Sequence, residues 1–84
     1  MTAEDLIGEA RSAVDEAASL GDDELSRIDL LLCGARAYLR EAMIVVTQRE
    51  LSVIRSLFRR ISELYHKPSL RAWVATQQRA ALPA

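Results

Sequence analysis

The sequence has few of the residues from which catalytic and metal sites are usually built. Its 84 residues include one cysteine, one histidine and three glycines, and asparagine is absent. A single cysteine excludes an intrachain disulfide and the cysteine-rich zinc motifs. One histidine and no glycine-rich loop leave no pattern for a histidine-based metal site or a phosphate cradle. We therefore expect no enzymatic activity, no cofactor, no bound metal and no small-molecule substrate.

Long apolar runs are also missing, and the first residues are acidic. No run approaches the roughly 18 to 20 consecutive apolar residues that span a bilayer. Glu4 and Asp5 stand where a secretory signal peptide would carry positive charge. These features predict a cytoplasmic protein that does not engage a membrane.

What is present suffices for one small core with an uneven charge distribution. Half of the residues are hydrophobic and 27% are charged, which is typical of a folded chain rather than a disordered one. A chain of this length predicts a single helical domain over residues 1–84. Residues 1–46 carry four arginines against ten acidic residues, a net charge of −6, whereas residues 47–84 carry seven basic residues against two acidic ones, +5. The domain therefore divides into an acidic hairpin, 1–46, and a basic C-terminal part, 47–84.

The first half reads as two amphipathic helices joined by a short turn. Thr2 is a suitable N-cap for a helix over about 3–20, and Gly21 follows as its stop signal. Asp22 or Asp23 can cap the second helix, about 23–46. The second helix carries a heptad line of apolar residues: Leu25, Ile28, Leu32, Ala35, Leu39, Ala42 and Val46.

The run from Ile44 to Thr47 decides whether the second helix ends or continues. Four β-branched residues weaken a helix locally, and the apolar line after Leu51 is out of phase with the line before Val46. Thr47 and Glu50 have the spacing of a capping box. We predict a new helix from Thr47; the alternative is one kinked helix, because the junction has no glycine or proline.

The remaining sequence predicts two further helices and completes the fold class. The third runs over about 48–66 and stops before Pro68, which disfavours helical geometry in the residue ahead of it. A short fourth helix covers about 69–80. The prediction is an all-α fold, a small antiparallel bundle of three long helices plus a short C-terminal helix.

Cys33 follows three leucines, Leu30 to Leu32. Free cysteines are among the most buried residues, so we expect an inert, buried thiol. The alternative, an intermolecular disulfide, requires Cys33 to be exposed.

Two short resemblances bear on function. The segment VVTQRELSVIRSLF is similar to the helix that opens the DNA-binding domain of LuxR-type regulators, with matches at Thr47, Arg49, Glu50, Leu51, Val53 and Ile54. The resemblance implies a helix-turn-helix with HKPS as its turn and residues 69–79 as recognition helix. Its candidate nucleic-acid contacts are Arg55, Arg59, Arg60 and Lys67 on phosphates, and Arg71, Gln77, Gln78 and Arg79 on the recognition helix.

The second resemblance covers two residues. Arg60 and His66 are spaced similarly to the arginine and histidine of the HEPN ribonucleases, which implies RNA cleavage by a helical dimer. The simpler interpretation of His66 is a histidine near the last carbonyls of a helix, where positive charge is favourable.

The leading hypothesis is a non-catalytic, bacterial-type adaptor or regulator. Its apolar stripes are wide for so short a chain, which predicts a homo-oligomer or a protein partner. The predicted contact residues are Leu31, Tyr38, Val45, Leu57, Leu64 and Trp73. The alternative is a DNA-binding regulator that uses the basic C-terminal part.

Overall fold

The computed structural model describes residues 2–81, and these residues form four α-helices and one short 3-10 turn. The helices are α1 (Ala3–Ser19), α2 (Leu25–Ala42), α3 (Gln48–Tyr65) and α4 (Pro68–Ala81), and the 3-10 turn covers Asp22–Glu24. The all-helical bundle is confirmed. The bounds of α1, α3 and α4 lie within one residue of the prediction, whereas α2 is shorter at both ends.

Helix α1 begins after the predicted N-cap, Thr2, which also forms a capping box with Asp5. The Asp5 backbone N–H donates to Thr2 Oγ1 at 3.2 Å, and the Thr2 N–H donates to Asp5 Oδ2 at 3.2 Å. The Thr2 hydroxyl also donates to Asp5 Oδ2, at 3.0 Å. The bonds from the Thr2 N–H and hydroxyl lower the pKa of the Asp5 carboxyl, because they favour its charged form.

The turn between α1 and α2 differs from the prediction, because neither Asp22 nor Asp23 caps α2. Gly21 is extended rather than left-handed, and the Glu24 N–H already donates to the Gly21 carbonyl at 3.1 Å within the 3-10 turn. Asp22 instead accepts a hydrogen bond from Ser69 Oγ at 2.9 Å. This bond ties the turn to the start of α4.

The core forms where the apolar faces of α1, α2 and α3 meet. The heptad line of α2 is buried at Ile28, Leu32, Ala35, Leu39 and Ala42. It packs on a seam of α1 rich in small residues, which lets the two helices approach closely. Helix α1 contributes Leu6, Ile7, Ala10, Val14 and Ala17, α3 contributes Ile54, Leu57 and Ile61, and α4 contributes Leu70.

Helices α2 and α3 are separate, so the alternative prediction of one kinked helix is wrong. Helix α2 ends at Ala42, four residues before the predicted end, and Thr47 is extended with φ −88° and ψ 165°. The Thr47 backbone N–H donates to Glu50 Oε1 at 3.4 Å, as the predicted capping box requires, and the Thr47 hydroxyl donates to the same oxygen at 3.0 Å. The β-branched run explains the early end, because such residues lose side-chain freedom in a helix. Residues 43–47 are called the α2–α3 loop below.

Candidate interaction surfaces

The six predicted contact residues lie on separate parts of the molecule. Leu31 and Tyr38 border a shallow groove between α1 and α2. Val45 lies in the α2–α3 loop and is 62% exposed, whereas Leu64 and Trp73 are half-buried against the core. Leu57 is 3% exposed. It therefore belongs to the core and cannot contact a partner without unfolding.

Exposed apolar side chains are concentrated in the α2–α3 loop. Met43, Ile44 and Val45 are 50%, 81% and 62% exposed, and among residues 2–81 the other large hydrophobic residue this exposed is Leu30, at 71%. Proteins that act alone rarely leave adjacent large apolar side chains in water. Sequence reasoning missed Met43 and Ile44 because it placed them inside a helix. The β-branched run was the signal that the chain leaves the helix there.

A wide, shallow groove adjoins the loop, between the first turns of α1 and α3. Ala3, Ile7, Val45 and Val53 supply its apolar lining. Charged residues of both signs also line it: Glu4, Asp5, Glu9, Arg11, Arg49 and Glu50. An apolar centre with a polar rim is the usual anatomy of a protein–protein interface. The loop and this groove meet at Val45, so together they present apolar and charged side chains on one surface.

Within residues 2–81, one ion pair joins the basic C-terminal part to the acidic hairpin. Arg60 Nη2 lies 2.8 Å from Asp15 Oδ1, which joins α3 to α1. Within residues 2–81 the other candidate nucleic-acid contacts make no ion pair and are exposed: Arg55, Arg59, Lys67, Arg71 and Arg79. Arg55 and Arg59 are four residues apart and so share the outer face of α3.

Helix α4 has one side turned toward α2 rather than toward solvent. Trp73, Val74, Gln77 and Gln78 line a groove opposite residues 29–36 of α2. The four candidate nucleic-acid contacts on this helix, Arg71, Gln77, Gln78 and Arg79, are all exposed, and the two glutamines lie at the edge of this groove.

The expectation of a buried Cys33 is wrong, because its side chain is exposed. Residue 33 stands five positions after Ile28, about 140° around the helix, which turns it away from α1 toward the groove beside α4. Its sulfur lies 3.6 Å from Tyr65 Oη and 3.7 Å from Asp29 Oδ1. Neither group is the cation that reactive cysteines usually have beside them.

Tyr65 and Asp29 fasten the end of α3 to α2. The Tyr65 hydroxyl donates to Asp29 Oδ1 at 2.6 Å, and the Arg36 guanidinium lies 4.8 Å from the centre of the Tyr65 ring. Burial, and then the hydrogen bond to Asp29, raises the pKa of the Tyr65 hydroxyl. The phenol therefore stays protonated, and the cluster serves as a structural contact.

Arg60 and His66 have separate partners in the structure. Arg60 pairs with Asp15, and His66 Nδ1 donates to the Ser62 carbonyl at 2.6 Å. Six positions along a helix turn the second side chain about 120° away from the first. The geometry is that of an ion pair and a helix-end histidine, and it does not bring the two side chains together.

Two further features of residues 2–81 limit the chemistry of the surface. No group of three or more histidine, cysteine, aspartate or glutamate side chains could hold a metal ion there. None of the helices in this part of the chain has the length and apolarity needed to cross a bilayer.

Comparison of the chain with protein-family models, curated proteins and solved structures gave no significant match. The short resemblances at residues 45–58 and at Arg60 and His66 are not extended by these comparisons. The functional proposal is therefore drawn from the surfaces of this chain.

Proposed function

We propose that this chain is a non-catalytic, cytoplasmic adaptor or regulatory protein that binds a protein partner through the α2–α3 loop. One observation carries the proposal: Met43, Ile44 and Val45 are consecutive, apolar and each at least half exposed. Of the apolar residues in this loop only Val46 packs against the core, so the other three leave apolar surface in water. The loop gains free energy when a partner covers it.

The loop could supply a substantial part of a binding free energy. Fully burying one exposed side chain of this size is worth about 1.5–3 kcal/mol, and Met43, Ile44 and Val45 are 50%, 81% and 62% exposed. Covering what is still exposed is therefore worth roughly 3–6 kcal/mol before the costs of association. Those costs take a large share of the gain. The adjoining groove adds Val53 and charged residues at its rim, which is where specificity for one partner can arise.

The apolar character of the loop favours a protein surface over a nucleic acid. Duplex DNA is bound mainly by neutralising its phosphates. The loop instead has Glu41 before it and Glu50 after it, together with Arg40 and Arg49. Charges of both signs around an apolar centre suit a partner with an apolar pocket and a mixed rim.

The first test uses a dye that fluoresces on exposed apolar surface. Wild-type protein should bind the dye, and Ile44→Asp should bind it several-fold less with an unchanged unfolding midpoint, because Ile44 makes no core contact. Ser56→Asp adds the same charge on the exposed face of α3 and should behave as wild type. Equal dye binding by all three proteins would count against the proposal.

A second candidate function is DNA binding by the basic C-terminal part. The observation in its favour is the set of exposed basic side chains on α3 and α4 that have no acidic neighbour within ion-pairing distance in residues 2–81. The expected sign is affinity for a generic duplex that falls steeply as salt rises. Ser56→Asp, placed between Arg55 and Arg59, should then weaken binding while Ile44→Asp should not. Absence of duplex binding at low salt would rule out this function.

A further inference from the structure

The outer face of α2 has a second apolar surface, distinct from the α2–α3 loop. This outer face consists of residues three, four and seven positions from Gly34 in both directions, together with Gly34 itself: Arg27, Leu30, Leu31, Gly34, Ala37, Tyr38 and Glu41. Leu30 is 71% exposed, and Leu31 and Tyr38 are half-buried beside α1. A stripe with this spacing is the kind of surface that packs against another helix.

The outer face is self-complementary about Gly34. If a second copy of α2 runs antiparallel with the two-fold axis at Gly34, each residue lies opposite the residue equally far on the other side of position 34. Leu30 then lies opposite Tyr38 of the second copy, and Leu31 lies opposite Ala37. At the two ends, seven residues from the axis, Arg27 lies opposite Glu41.

The charges select this orientation. The antiparallel arrangement makes two pairs of opposite charge, one at each end of the contact. A parallel arrangement would place Arg27 against Arg27 and Glu41 against Glu41, which is repulsive. Within residues 2–81 Glu41 has no ion-pair partner, whereas Arg27 lies 3.2 Å from Glu16 and 3.7 Å from Glu24 on an exposed surface. A guanidinium has enough donors to share with one more carboxylate.

The centre of the outer face allows close approach. A helical glycine costs about 1 kcal/mol relative to alanine, and nothing lies within 4 Å of where a Cβ on Gly34 would stand. The chain's own packing therefore does not require glycine there. Gly8 on α1 has the same open space, so openness alone does not identify a contact. The outer-face residues at equal distances on either side of Gly34 are complementary, and this distinguishes Gly34 from Gly8.

We propose that two copies of the chain pair through the outer face of α2, antiparallel and centred on Gly34. Each α2 enters the groove beside the other copy's α1, so that the two acidic hairpins form a four-helix bundle. The inference deepens the proposed function by naming a second copy as one partner. It leaves the α2–α3 loop, which lies beyond Glu41, free for a different protein.

The test begins with sedimentation equilibrium of the full chain over a concentration series. One helix pair makes a small interface, so monomer and dimer should exchange at roughly micromolar concentrations. Gly34→Leu should weaken the dimer by about tenfold or more, because a side chain at the point of closest approach separates the helices. Gly8→Leu is the matched control, since it changes another open helical glycine, and it should leave the dimer unchanged.

A charge-reversal experiment tests the orientation. Arg27→Glu and Glu41→Arg, each alone, place like charges at both ends and should weaken self-association about tenfold. An equimolar mixture of the two variants restores opposite charges at both ends. It should recover a dimer of near wild-type strength that contains one copy of each variant, seen by native mass spectrometry.

The outcomes separate this proposal from the proposed function. A monomer at all concentrations, or a dimer insensitive to Gly34→Leu, overturns the α2 pairing and leaves the loop proposal standing. A mixture that fails to recover overturns the antiparallel register. A dimer lost in Ile44→Asp but kept in Gly34→Leu assigns self-association to the loop and refutes the outer-face pairing.

Discussion

Leucine-to-alanine changes at positions 30 and 32 of α2 compare a core contact with a surface contact on one helix. Leu32 is 0% exposed and Leu30 is 71% exposed. Three carbons are removed at each site, worth about 2.4 kcal/mol if all leave a buried environment. The cavity left at position 32 raises the cost to about 3–4 kcal/mol. A domain of 84 residues has a total stability of about 4–13 kcal/mol, so Leu32→Ala should remove a large fraction of it.

The two variants should also differ in their dependence on protein concentration. Leu32→Ala should lower the free energy of unfolding at every concentration. Leu30→Ala should change it by less than about 0.5 kcal/mol in dilute protein. At high protein concentration Leu30→Ala should lower the free energy of unfolding by more. Dimerisation stabilises the folded state by mass action, and the variant dimerises less well.

Urea denaturation followed by circular dichroism measures both effects, at two protein concentrations about 100-fold apart. Equal losses for the two variants in dilute protein would contradict the packing described above. A Leu30→Ala effect that does not grow with concentration would contradict the pairing of α2 helices.

Two further predictions test the cap of α3 and the contact between α3 and α2. Thr47→Ala should lower the free energy of unfolding by about 1 kcal/mol, because it removes the cap of α3. Gln48→Ala, at the exposed next position, should leave the thermal unfolding midpoint nearly unchanged. Equal shifts of the midpoint in the two variants would argue against the cap. Because the folded-state pKa of Tyr65 is raised, its contribution to stability is present below about pH 10 and is lost as pH rises further. Tyr65→Phe should therefore be less stable than wild type near neutral pH, and the gap should narrow in strongly alkaline urea titrations; a constant gap would refute this.

Helix type and approximate position could be predicted from the sequence because they depend on local signals. The heptad line of α2 and the Thr47–Glu50 spacing correctly gave the core face and the start of α3. The end of α2 was placed too late because the periodicity of apolar residues does not show where β-branched residues end a helix. That single difference moves Met43 and Ile44 from a helix face into the exposed loop.

The surfaces could be predicted less well, because they depend on which helix covers which face. Leu57 and Leu31 both lie on wide stripes, yet Leu57 of α3 is buried in the core that the helices share, whereas Leu31 of α2 is covered by α1 only in part. Cys33 follows three leucines but points toward the groove beside α4. The pairing of Asp15 with Arg60 depends on how α1 lies against α3. The net charges of the two halves do not predict which residues pair.

The central claim is that the α2–α3 loop binds a protein, and a comparison of retained proteins tests it most directly. Immobilised wild type, Ile44→Asp and Ser56→Asp are incubated with the same cell lysate, and the retained proteins are quantified by mass spectrometry. The prediction is at least one protein held equally by wild type and Ser56→Asp and lost with Ile44→Asp. The same retained set for all three chains would contradict the claim.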